Sequence, residues 1–285
     1  AVAISVAVGG TGGEGGDGKT VDVANSGSIT TYDWDSVGIF AQSVGGGGGR
    51  GGSSSAEAIT AAPKGNTLAV AVAVGGKGAN AGVGDQVTVN NTGQVLTYGA
   101  GSTGVFAQSV GGGGGKGGDA SATTAAFNVG GDARTMEVKV AVGGDGGKGG
   151  DGGGVTVNNS GGVTTLGTGA YGIVAQSVGG GGGDGGAGEM GDLLEGVTIP
   201  TVLPGPDRGE NNKKVKTTFI DRIRNIRTGL AALISGPKSF GTNIARDAAK
   251  KKDSPKSISV AIGVGGAGGT AGDGKAALVI NAGDI

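Results

Sequence analysis

Amide side chains recur along this chain at a fixed spacing. Gln42, Gln108 and Gln176 each sit in the phrase Ala-Gln-Ser-Val ahead of five glycines, 66 and 68 residues apart. Asn25, Asn91 and Asn159 recur in step with them, each opening an Asn-x-Gly turn. A carboxamide donates and accepts hydrogen bonds at once. A column of carboxamides therefore has two uses. It lines a ligand groove, or it bonds to itself and caps backbone groups where the glycines begin. The second use needs no ligand and is the expectation.

Other chemistry is thin. The chain has 285 residues without His or Cys. That removes the ordinary neutral-pH base, the thiolate nucleophile and the Cys-based zinc site. Carboxylates are scattered, and no partner residue repeats beside them, so no catalytic residue, metal ligand or cofactor is expected. Gly13 to Thr20 fits the phosphate-loop pattern G-x-x-x-x-G-K-[ST]. A phosphate loop must open a helix, whose first N–H groups hold the anion. Here Val21-Asp22-Val23 follows, which reads as a strand. Fragments of a calcium-binding nonapeptide end at Asp17, Asp119 and Asp151. The bulky apolar residue that motif needs two positions later is replaced by Lys19, Ser121 and Gly153. These carboxylates are expected to be solvated.

The elements that hold these residues repeat too. Val/Ala phrases at Ser5–Gly10, Val70–Gly76, Val138–Gly144 and Val260–Gly266 lead into a first glycine block. A Val-x-Val strand, the Asn-x-Gly turn, a short strand, a polar turn and a Gly-Ile-Phe-Ala-Gln-Ser-Val strand follow, and a second glycine block closes the unit. Self-similarity at a fixed period means stacked copies of one unit. The predicted fold is all-β, a repetitive parallel β-solenoid whose stacked copies bury the Val/Ile faces. Alternation puts Ile173, Ala175 and Ser177 on one face and Val174, Gln176 and Val178 on the other. Within the glycine blocks the other residues fall every third position, as at Asp145, Lys148 and Asp151. A polyproline II helix has three residues per turn. The prediction is ordered polyglycine II segments with side chains on one edge and bare backbone on the other two, packed side by side.

Residues 1–186 are thus read as solenoid repeats and 258–285 as the start of the next. The stretch 187–257 breaks the pattern, with a cluster of Pro, Lys and Arg. Val215, Phe219, Ile223, Ile226, Leu230 and Ile234 fall at helical spacing, which predicts an amphipathic helix over 215–235. Phe219, Arg222, Ile223, Arg224, Ile226 and Arg227 are its candidate interaction residues. The short inserts 53–67 and 119–136 are expected only to cross between rungs.

Composition bounds the rest. Glycine numbers 72, proline 6, and the formal net charge is -1. That charge gives no pull toward nucleic acid. No run of eighteen apolar residues exists, so no direct membrane insertion is expected. The chain opens inside a strand phrase and closes at Asn281-Ala-Gly-Asp-Ile285, which matches Asn25-Ser-Gly-Ser-Ile29 from mid-repeat. A longer parent at both ends is expected.

The phrases Val-x-Val-x-Asn-x-Gly-x-Ile-x-Thr and Gly-Ile-x-Ala-Gln-Ser-Val-Gly-Gly-Gly-Gly-Gly resemble those of large glycine-rich autotransporter passengers of Gram-negative bacteria. The resemblance covers nearly everything outside 187–257. It implies a secreted β-solenoid displayed on the cell surface, anchored in the outer membrane through a C-terminal barrel. The function expected is structural: a segment of an extracellular fibre or adhesin stalk, with no catalysis, whose partner is another copy associating laterally or end to end. Two alternatives stay open. The insertion 187–257 binds a glycan or host receptor, or a flat solenoid face binds ice or carbohydrate.

Overall fold

Each valine-rich phrase is a strand, and each strand lies over its own copy in the next repeat. The computed structural model describes residues 1–128, 134–192 and 257–284, and among these there is no helix. The first coil contains β1 (Val2–Val8), β2 (Val21–Asn25), β3 (Ile29–Thr31), β4 (Val37–Val44) and β5 (Ser54–Ala62). The second contains β6 (Thr67–Val74), β7 (Val87–Asn91), β8 (Val95–Thr97), β9 (Thr103–Val110) and β10 (Ala120–Asn128). The third contains β11 (Thr135–Val142), β12 (Val155–Asn159), β13 (Val163–Thr165), β14 (Tyr171–Val178) and β15 (Gly188–Asp192). β16 (Ser257–Val264) and β17 (Ala277–Asn281) begin a fourth. All strand pairings are parallel and join equivalent residues of successive coils, as in Val21↔Val87 and Val87↔Val155. The result is a parallel β-solenoid of five stacked sheets.

Three of those sheets enclose one core. Val87, Val89, Val95, Val105, Val155 and Val157 are fully buried among β2–β4 and their copies. Here the expected burial of Val/Ile faces holds. β-branched side chains suit this position because a pleated, half-buried surface already restricts their rotamers.

The other two sheets invert that expectation. β1, β6, β11 and β16 form one sheet, and β5, β10 and β15 face it. The cluster between them is alanine: Ala56, Ala58, Ala69, Ala71, Ala120 and Ala122 among others. The valines and isoleucines of β1 and its copies point outward instead, and Val2, Ile4, Val6 and Val8 are all exposed. Alternation fixed which residues share a face, but which face went inward depended on a partner sheet that sequence reading did not foresee. The inserts 53–67 and 119–136 supply that partner, as nine-residue strands β5 and β10 rather than simple crossings. Likewise Gly188–Asp192, placed at the start of the insertion, is a strand paired with β10. The predicted helix over 215–235 lies outside the described residues.

Between the two lobes the glycine blocks bond to one another every third residue. In the first block, Gly9, Gly12, Gly15 and Gly18 donate to the carbonyls of Val74, Lys77, Asn80 and Val83 in the next coil, at 2.8–2.9 Å. A second set, Gly76, Ala79 and Gly82, donates to Gly52, Gly49 and Gly46, all at 2.9 Å. The descending numbers show that first and second blocks run antiparallel. The second block stacks in the same manner, with Gly45, Gly48 and Gly51 donating to Val110, Gly113 and Lys116. Two N–H groups of every three thus donate within the array, while the third residue accepts through its carbonyl and turns its side chain out. This is the repeat of a chain with three residues per turn.

Close approach accounts for the glycine. A Cβ on Gly150 would lie 1.9 Å from the carbonyl oxygen of Gly82. On Gly113, at the outward third position, the nearest atom would be 3.9 Å away. Ala79 and Ala81 occupy two inward positions and keep their backbone bonds at 2.9 Å, so the packing gives locally in the second coil.

Candidate functional site

The repeated amides form two columns of different character. Asn25 sits at the end of β2, where its Nδ2 donates to the Gly27 carbonyl at 2.9 Å and its Oδ1 accepts from the Gly27 N–H at 3.2 Å. The side chain therefore locks its own turn. The same Nδ2 donates to Asn91 Oδ1 at 2.7 Å, Asn91 donates to Asn159 at 2.7 Å, and Asn159 to Asn281 at 2.6 Å. Asn91 and Asn159 are fully buried. All donors in the column point toward the later coil, so each bond polarises the next in the same direction. In the glutamine column Gln42 donates to Gln108 at 2.6 Å and Gln108 to Gln176 at 2.8 Å, on the exposed face of β4, β9 and β14. The amides are consumed by one another.

The serine beside each glutamine points inward and joins successive coils. Ser43 Oγ accepts from the Asp85 N–H at 3.0 Å, and Ser109 and Ser177 accept from Gly153 and Lys275 at 2.8 Å. Aromatic residues stack in the same way: Phe40 on Phe106 with centroids 5.3 Å apart, Tyr32 on Tyr98 at 5.2 Å.

Asp17, Asp119, Asp145 and Asp151 in the glycine blocks are bonded to the next coil. At the outward third position the backbone N–H has no glycine neighbour to meet. Asp17 Oδ1 accepts it from Val83, Asn80 from Lys148, Asp145 from Ala267 and Asp151 from Asp273, at 2.9–3.0 Å. Asp119 accepts from Ala187 at 2.8 Å. That bond, with the Lys116 ammonium beside it, holds the Asp119 carboxyl below its ordinary value. Asp85 is lowered by the Gln86 N–H and the Thr20 hydroxyl. Short acceptors on three-residue spacing were legible in the sequence. Their use was not, because the receiving N–H lies a whole coil away.

The phosphate-loop match loses its donors to the same packing. The N–H groups of Gly15 and Gly18 are bonded to Asn80 and Val83, Thr20 Oγ1 donates to Asp85, and β2 follows where a helix would be needed. Among the described residues no group of three or more Asp or Glu is arranged to hold a metal. Phe219, Arg222, Ile223, Arg224, Ile226 and Arg227 lie outside the described residues. One feature had no counterpart in the sequence reading: a broad apolar sheet face, formed by the outward residues of β1, β6, β11 and β16. Comparison of the chain with protein-family models, with curated proteins and with solved structures finds no match.

Proposed function

We propose that this chain is a structural segment of a secreted, surface-displayed fibre or adhesin stalk. The observation that supports it is the continuity of inter-coil bonding. Among the described residues, the strands of each sheet and both glycine blocks are hydrogen-bonded to their copies in the next coil wherever that copy is present. The repeated polar side chains are spent on the same joints. A body built this way resists bending and lengthens by whole coils, because each coil meets only its neighbours. The glycine blocks act as polyglycine II rods, and their outward side chains keep the exposed edge wet. Immunogold labelling of intact and of thin-sectioned source cells with antibody raised against the 285-residue chain tests the reading. Filaments or a surface coat carrying label are expected; label confined to the cell interior overturns it.

A further inference from the structure

The sheet β1-β6-β11-β16 turns an uncharged face outward. All outward positions on its four strands are Val, Ile, Leu or Met. In the column Val6, Val72, Val140, Ile262 the edge-strand members are exposed, Val6 65% and Ile262 49%, and the central Val72 and Val140 are half-buried by their neighbours. Strands about 4.8 Å apart, with about 3.3 Å per residue, make this face about 500 Å². That is as large as the biggest apolar patch on an ordinary monomer. Two such faces in contact would cover about 1,000 Å², the lower limit for a specific interface.

The pattern of the face selects its occupant. Equivalent residues are paired without offset from coil to coil, so apolar ridges recur once per coil. An occupant that fills every groove must carry the same interval. A helix is about 10 Å across and spans only two rows. Residues 193–256 enter between β15 and β16 alone, yet the rows are just as apolar in β6, which follows the four-residue arch 63–66. A lipid surface calls for basic and aromatic residues beside the apolar ones, and the face has neither. An identical sheet has the right interval and the right chemistry. We propose that this face docks against the same face of a second copy of the chain, Val and Ile interdigitating across a dry seam about 10 Å between sheets. The proposal stands apart from the stalk reading, since a chain with any other role would pair in the same way.

Sedimentation velocity of the 285-residue chain across a micromolar to submillimolar range tests it. Reversible self-association is expected. Joint substitution of Val72→Lys and Val140→Lys should weaken it at least ~100-fold, because ammonium groups would be stripped of water without a partner. Ile59→Lys, on the outward face of β5, should leave association unchanged. Val72→Thr, nearly isosteric, should weaken it more mildly and keeps the test sound should the lysine variant misfold by circular dichroism. A monomeric wild type, or association undiminished by Val72→Thr and the lysine pair, overturns the proposal. So does association that arises only after 193–256 is removed, which would assign the face to that segment. Binding to phosphatidylcholine vesicles without self-association would assign it to lipid and equally overturns it.

Discussion

Asn91 and Gln108 form the same amide-to-amide bond but differ in what surrounds it. Asn91 is buried and also bonds the Gly93 carbonyl, so removing it strands Asn25 and Asn159 with partners missing. Gln108 stands on the exposed face, where water replaces a lost partner. A buried polar group left unsatisfied costs about 1–3 kcal/mol, which sets the expected loss for Asn91→Ala at about 2–4 kcal/mol and for Gln108→Ala below about 1 kcal/mol. Denaturant unfolding of the two variants measures the difference. Equal losses would show that burial does not decide the strength of the column. The recurrence of both amides was plain in the sequence. Their inequality was not, since both stand in equally regular repeats and only the fold puts one inside the turn and the other on the surface.

Among elements, the glycine blocks show the sharpest contrast between what was legible and what was not. The three-residue phase of Asp145, Lys148 and Asp151 marks the outward edge. It could not give the antiparallel partnership of first and second blocks, which joins Gly46 to Gly16 and Gly52 to Gly10. That partnership distinguishes positions that look alike in a run of five glycines. Gly150 has a carbonyl oxygen where a Cβ would go, while Gly113 has space. Overpacking costs typically about 1–3 kcal/mol, the range expected for Gly150→Ala. Gly113→Ala is expected to be neutral or to stabilise by up to about 1 kcal/mol, through a stiffer unfolded chain. Thermal unfolding of both variants decides the matter: equal effects would mean the blocks are not packed as described. The strands β5 and β10 were missed because their inward residues are mainly Ser, Thr and Ala, too small to register as a hydrophobic alternation, and β15 because Gly188 and Met190 stand at the matching positions.

At the scale of the whole molecule, stacking makes each coil a near-independent module. Asp192 pairs through Thr124 with the position of Ala58, and Ser257 pairs through Thr135 with that of Thr67. In chain order, residues 193–256 therefore stand between the same two register positions as 59–66 of the first coil. Replacing them with the eight residues Ile59–Asn66 should leave the third and fourth coils in register. Hydrogen exchange in β11 and β12 is expected to stay as slow as in the parent chain. Fast exchange there would show that the array depends on the replaced stretch.

The sequence by itself determined the period, the strand phrases, the turns that asparagine locks and the outward edge of the glycine blocks, because each is set by neighbours within a few residues. Only the tertiary structure decided which sheet face is inside and which glycines touch. Those outcomes depend on partners a coil away: alanine side chains are thin enough to let two sheets meet, and that contact left the larger valines and isoleucines facing out.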